Sequence, residues 1–273
     1  MKGLTMRRMF TIALGGMMML AATTAVHADT IVTTVIDDFT SDTLNANWVQ
    51  SVVYPDIYST PATLHVFNTT TATDQLTILR PDYSRPQMEA LLRSDVGLGV
   101  GQTLLTDLTV PATVGDSHGL MIATAAGVTG YITGTNTGHH APDTLFIGWY
   151  PSTGRLRTQY YDHASIVTQI ITATLPVNVV PTLFYIERTA ANVYEAGYVL
   201  NNAPGVRVVL STTTIDNGAG NLNPGAAIGY RGDIRTDGAS ASFDNLRIEA
   251  VIPEPATLGL LAMGGLLMLP RRR

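Results

Sequence analysis

The chain has 273 residues, 45% of them hydrophobic, with 16 basic and 21 acidic side chains and no cysteine. The missing cysteines exclude a disulfide framework, a thiolate metal site and a cysteine nucleophile. Lys2 is the sole lysine, and residues 29–252 hold ten arginines against 20 acids, a balance that excludes a catalytic lysine there and disfavours nucleic acid and anionic membrane surfaces as partners.

The chain opens with Lys2, Arg7 and Arg8 and no acid, then runs into the apolar stretch Met9 to Ala22. A cationic block followed by an apolar run too short to span a bilayer predicts a signal helix over residues 1–28. Val26 and Ala28 supply the small residues a signal peptidase needs, so cleavage is predicted after Ala28, leaving Asp29 as the new N-terminus. Arg7-Arg8-Met9-Phe10 resembles a twin-arginine export signal in part, with the general secretory route as the default.

Residues 29–250 read as one domain. Apolar and polar residues alternate in short runs rich in β-branched residues and Tyr, the period of half-buried strands. Strands are predicted over 35–39, 76–80, 104–110, 119–123 and 145–150, then over 155–161, 183–188, 194–200, 227–230 and 242–248. Turn signals separate them at Pro151-Ser152-Thr153-Gly154, Asn201-Asn202-Ala203-Pro204-Gly205 and Asn217-Gly218, and no internal segment sustains a helical period. This spacing points to an all-β antiparallel sandwich or barrel.

Asp37-Asp38-Phe39 followed by Leu44-Asn45 and Trp48 resembles the opening of concanavalin A-like domains, the lectin and glucanase fold. Ser242 to Ile248 resembles their last strand, and Phe184 to Arg188 with Tyr194 to Tyr198 a late hairpin. The resemblance implies a jelly-roll β-sandwich whose first and last strands pair, with Asp38 and Asp244 near each other. It also implies a structural calcium held by Asp37, Asp38 and Asp244, carboxylates being hard oxygen ligands. The same aspartates could instead cap strands and accept from turn amides.

Retaining glucanases of this fold carry alternating acids on one strand, since one carboxylate attacks while another donates a proton. No such run is present. Within residues 29–250 the glutamates are Glu89, Glu187, Glu195 and Glu249, of which Glu187 and Glu195 could still meet across a hairpin. His139-His140 falls in a polar loop, and Ser117-His118, Asp162 and His163 form no recognisable nucleophile set. Arg231-Gly232-Asp233 is expected to be a tight turn. Exposed aromatic faces would stack on sugar rings, and the candidates are Tyr131, Trp149, Tyr150, Tyr160 and Tyr161. One ring of each neighbouring pair is expected in the core.

The chain closes on Pro253-Glu254-Pro255, a glycine-containing apolar segment over residues 256–269, and Arg271-Arg272-Arg273. The apolar segment spans 14 residues, short of the roughly 20 that a spanning helix needs, which suits transient inner-membrane anchoring with the arginines left on the cytoplasmic side. This three-part order over 251–273 resembles the PEP-CTERM sorting signal of exopolysaccharide-producing bacteria. The resemblance implies recognition and removal by an exosortase near the Pro-Glu-Pro motif. The expected protein is therefore exported to the cell envelope or medium, non-catalytic, and associated with polysaccharide. The alternative is a secreted glycan-active hydrolase or lyase.

Overall fold

The computed structural model describes residues 30–41, 44–53, 66–70, 75–79, 87–110, 117–133, 141–234 and 240–252. Val26, Ala28 and Asp29 at the expected cleavage point lie outside the described residues. So do His139-His140, the expected membrane segment over 256–269 and the sorting motif Pro253, Glu254, Pro255, Arg271, Arg272 and Arg273. The chain divides into a body over Thr33–Ala250 and a second unit made of the two termini. Of the termini only Thr30–Val32 and Val251–Ile252 are described, all in strand. Among the described residues no helix is long and apolar enough to cross a membrane.

The body is an all-β sandwich of two antiparallel sheets. One runs in the order β13 (Ala203–Thr214), β12 (Val193–Leu200), β11 (Pro181–Ala190), β6 (Gln102–Val110), β15 (Ser240–Ile252), β4 (Gln75–Leu79) and β3 (Val66–Thr70). The first strand, β1 (Thr30–Asp37), pairs with β15, as the resemblance implied. The other sheet runs β10 (Val167–Thr174), β9 (Arg155–Tyr161), β8 (Thr144–Tyr150), β7 (Ser117–Ala123), β14 (Ala227–Ile234), β5 (Gln87–Arg93) and β2 (Trp48–Val53). The chain crosses repeatedly between the sheets, so sequence neighbours such as β5 and β6 lie in different layers.

Alternation decides what each strand buries. Leu145, Ile147 and Trp149 of β8 point between the sheets, where they meet Leu120 and Ile122 of β7, Leu156 and Tyr160 of β9, and Phe184 and Ile186 of β11. Burying each such large side chain contributes about 1.5–3 kcal/mol. The opposite face of the second sheet carries a smaller apolar cluster of Met121, Ala123, Phe146, Tyr150, Ala90 and Leu92. Helix α1 (Ala125–Thr133) packs over β2, β5 and β7, adding Val128 to that cluster. Its first turn is capped by Thr124, whose Oγ1 accepts from Gly127 N at 2.9 Å. Gly148 leaves room for the Phe146 ring, since a Cβ there would lie 2.2 Å from Phe146 Cζ.

All ten predicted strands are present, but β2, β3, β5, β10 and β13 and helix α1 were not expected. Arg231-Gly232-Asp233 is not a turn. It lies inside β14, paired on one side with β5 and on the other with β7. Arg231 is 2% exposed, stacked 4.7 Å above Phe146 and 5.5 Å from the Tyr161 ring centroid. The Arg231 side chain is therefore buried and stacked within a central strand.

A polar groove between the edge strands

The edge strands of the two sheets, β10 and β13, approach each other, and Thr213 Oγ1 donates to Gln169 Oε1 across the gap at 2.6 Å. Beside this contact opens a groove of about 660 Å³, lined among others by Tyr160, Asp162, His163, Thr168, Gln169 and Asp216. Its floor is organised by Asp143. This residue sits just before β8 with φ at 51°, and its carboxylate is fully buried. Asp143 Oδ1 accepts from Leu222 N at 2.8 Å and Oδ2 from His163 Nδ1 at 2.7 Å, while Asp143 N donates to Asp162 O at 3.1 Å. One aspartate thus ties the 162–166 turn to the 216–224 loop, and His163 N donates to Asn221 Oδ1 at 3.1 Å to complete the tie.

Two carboxylates at the groove each keep one oxygen with no hydrogen-bond partner among the described residues. Asp162 Oδ1 accepts from Ala164 N and Ile166 N, each at 2.9 Å, and Asp216 Oδ1 accepts from Gly218 N at 2.9 Å. Tyr160 is 4% exposed, yet its hydroxyl has no hydrogen-bond partner among the described residues. Burial raises the pKa of that phenol, and the Asp143 and Asp162 carboxylates raise it further, so it stays a neutral donor. Leaving a buried hydroxyl unanswered costs about 1–3 kcal/mol. The ring itself packs in the main core beside the groove.

Of the remaining aromatic candidates, Trp149, Tyr150 and Tyr161 are also buried. Trp149 is in the main core and Tyr150 in the smaller cluster, at 6% and 8% exposure. Tyr150 Oη donates to Gln159 Oε1 at 2.9 Å, and Arg157 stacks 4.2 Å above its ring. Tyr161 is fully buried. Tyr131 falls in α1, and its ring lies outside the described side chains. Among the described candidates only Tyr160 touches the groove.

The expected calcium ligands lie elsewhere, Asp37 at the end of β1, Asp38 just after it and Asp244 within β15. Asp37 Oδ1 accepts from Phe39 N at 2.9 Å and Oδ2 from Trp48 Nε1 at 2.7 Å. Asp38 Oδ1 accepts from Thr40 N and Oγ1, and Asp244 accepts from Asn245 N at 2.6 Å. Asp37, Asp107 and Asp244 all come close enough to act on the buried Tyr230 phenol, whose pKa burial itself raises most. Among the described residues no three His, Asp or Glu side chains converge as a metal site. The pair brought to this phenol is Asp37 and Asp244, whereas the expected partner Asp38 turns to Thr40, and Asp37 and Asp244 are both engaged in turn and strand-end hydrogen bonds.

His118 lies in the core against Phe243, and burial drives its pKa down to about 3, so it is a neutral packing group. Glu187 and Glu195 do meet, as direct partners across the β11–β12 hairpin. Missing from the sequence reading were Gln169, Asp216 and the buried role of Asp143. A Pro-Asp pair just ahead of an apolar run was the available signal for Asp143, but nothing local shows that β10 and β13 meet.

No protein-family model matches the chain, and no curated protein matches it. Among solved structures it is similar to metal-free lectin I-B4 from Griffonia simplicifolia, at 9% identity and a TM-score of 0.47, covering 81% of this chain and 98% of that one. It is likewise similar to the VIP36 exoplasmic/lumenal domain in its Ca2+/Man3GlcNAc-bound form, at 10% identity and a TM-score of 0.47, covering 80% and 89%. Arcelin-5, a lectin-like defence protein from Phaseolus vulgaris, gives 7% identity and 0.47 over 82% and 98%.

Proposed function

We propose that this chain is an exported, non-catalytic surface or matrix protein that associates with polysaccharide through the groove between β10 and β13. The groove carries the reading: it is a polar hollow of about 660 Å³ in which Asp162 and Asp216 each have a carboxylate oxygen with no hydrogen-bond partner among the described residues. Polyhydroxylated ligands are recognised by such fixed polar groups. Export and retention rest on the two ends of the sequence, with a signal peptidase cutting after Ala28 and an exosortase acting near Pro253-Glu254-Pro255. Asp37, Asp38 and Asp244 accept from Phe39 N, Trp48 Nε1, Thr40 and Asn245 N and do not converge among the described residues, so they do not fit a structural calcium.

The test has two arms. Intact-mass analysis of the protein recovered from envelope and medium should give a chain beginning at Asp29 and ending near the Pro-Glu-Pro motif. Retention of Leu258 to Arg273 would refute the sorting reading. Affinity electrophoresis of the recovered protein through gels containing the host's own exopolysaccharide should show retardation, and unchanged mobility would refute the carbohydrate reading. Glu187 facing Glu195 favours one rival, because retaining glycosidases hold two carboxyls about 5–5.5 Å apart. Release of new reducing ends, abolished in Glu187→Gln, would replace the binding reading with a hydrolase.

A further inference from the structure

The 216–224 loop carries a chemistry of its own. Asn217-Gly218 is the sole Asn-Gly pair in the chain, and both residues are exposed in a single 3₁₀ turn over Asn217–Ala219. An asparagine side-chain amide is open to attack by the backbone nitrogen of the residue that follows. The new bond from Gly218 N to Asn217 Cγ closes a five-membered succinimide. The Gly218 amide proton and the side-chain NH2 group leave together as ammonia, and solvent water then opens the ring at either carbonyl. The product is aspartate or isoaspartate at position 217, reached by hydrolysis alone. Glycine favours this chemistry in its neighbour, because no Cβ crowds the attacking nitrogen and its backbone turns freely.

The loop's two other asparagines are blocked by their surroundings. Asn223 precedes Pro224, which has no N–H to lose. Asn221 Oδ1 accepts from His163 N at 3.1 Å, and the nitrogen that would attack its amide, Leu222 N, donates to the buried Asp143 at 2.8 Å. At Asn217 the attacking nitrogen is held at the surface instead. Gly218 N donates to Asp216 Oδ1 at 2.9 Å, the cap of this turn. Ala219 N donates to Asp216 O and Gly220 N to Asn217 O, each at 3.2 Å, and Gly220 ends the turn at φ 82°. Ring closure needs Gly218 N to eclipse Asn217 Cβ about the Cα–C bond, far from the ψ of a 3₁₀ turn. The turn must therefore open before the ring forms, and the Asp216 cap sets how often it does.

We infer that Asn217 is a self-modifying site whose rate is governed by Asp216. An aged molecule gains a negative charge at position 217, and in the isoaspartate form one extra backbone methylene, at the rim of the groove that Asp216 lines. The full chain should be incubated at neutral pH for weeks and digested with trypsin, which cuts at Arg207 and Arg231, so that fragment masses of the 208–231 peptide locate each amide-to-acid change. Conversion should appear at Asn217 and not at Asn221 or Asn223, and should run faster in the same chain unfolded in urea. Asp216→Ala should convert about fivefold faster than the unaltered protein, the scale of a lost cap, whereas Asp216→Ser, which restores a capping oxygen, should stay within about twofold. Hydrogen exchange at Gly218 N should be slowed in the unaltered protein and released in Asp216→Ala. Equal rates with and without the cap, conversion first at Asn221 or Asn223, or an intact Asn217 after the urea-unfolded chain has fully converted would each overturn the inference. Exchange of Gly218 N at the unfolded-chain rate in the unaltered protein would overturn it without any variant.

Discussion

Two hollows of about 660 Å³ open at opposite edges of the sandwich, and they treat their polar groups differently. Near β2, Asp37 gives both oxygens to Phe39 N and Trp48 Nε1. Arg93 and Asp95 form a two-pronged pair at 2.9 and 2.5 Å, and Arg93 also reaches Ile36 O. That corner is closed by rings, with Phe39, Trp48 and Tyr230 mutually 6.1 Å apart. At the β10–β13 groove the buried atoms of Asp143 are answered, while Tyr160 and two carboxylates keep capacity in reserve. The difference lies in the buried groups: those of the first corner are paired, whereas at the second the Tyr160 hydroxyl is not.

The largest expected effect breaks the closed corner. Trp48→Ala removes a core ring and leaves Asp37 Oδ2 without its donor, so it should cost about 3–5 kcal/mol in urea unfolding. A cost below about 1 kcal/mol would mean the corner is not structural. Next comes acid. His118 has a folded pKa of about 3, below the ordinary 6.5 of the unfolded chain, so the unfolded state binds more protons between those values. Stability should therefore fall as pH drops from about 6.5 towards 3, by up to a few kcal/mol, and His118→Leu should flatten that limb of the melting-temperature profile. The smallest effect tests the groove. Tyr160→Phe deletes an unanswered hydroxyl and should leave stability unchanged or raise it by up to about 1 kcal/mol. Tyr194→Phe, whose hydroxyl donates to Pro224 O, should instead lose about 1 kcal/mol. A destabilised Tyr160→Phe would show that this hydroxyl serves the fold, and the contrast between the hollows would collapse.

The strands most legible in the sequence were those buried on both faces or alternating cleanly, such as Leu145 to Tyr150 and Phe184 to Arg188. Others were hidden by their residues. β5 reads Gln-Met-Glu-Ala-Leu-Leu-Arg, a run of good helix formers, and becomes a strand because β14 and β2 flank it. β13 begins Ala203-Pro204-Gly205, a turn signal that an edge strand tolerates because its free side needs no ladder donor. Helix α1, Ala-Ala-Gly-Val-Thr-Gly-Tyr-Ile-Thr, has poor intrinsic propensity and is held by its Thr124 cap and the sheet beneath. The groove was legible only in fragments. Tyr160 was named for a ring that proves buried, and Asp162 and His163 were noted without a role. The fourth wall comes from β13, more than 40 residues downstream of β10's contact at Gln169.

The pairing of β15 has a mechanical consequence. At 13 residues it is the longest strand described, it sits inside its sheet, and its register runs along β6 from Val110 to Gln102 and along β4 from Leu79 to Leu76. Tension applied at Ile252 enters along that strand's axis, across rungs that lie perpendicular to it. Loading along the strand axis shears the rungs on both sides instead of peeling an edge, so a pull at this end acts on a strand paired on two flanks.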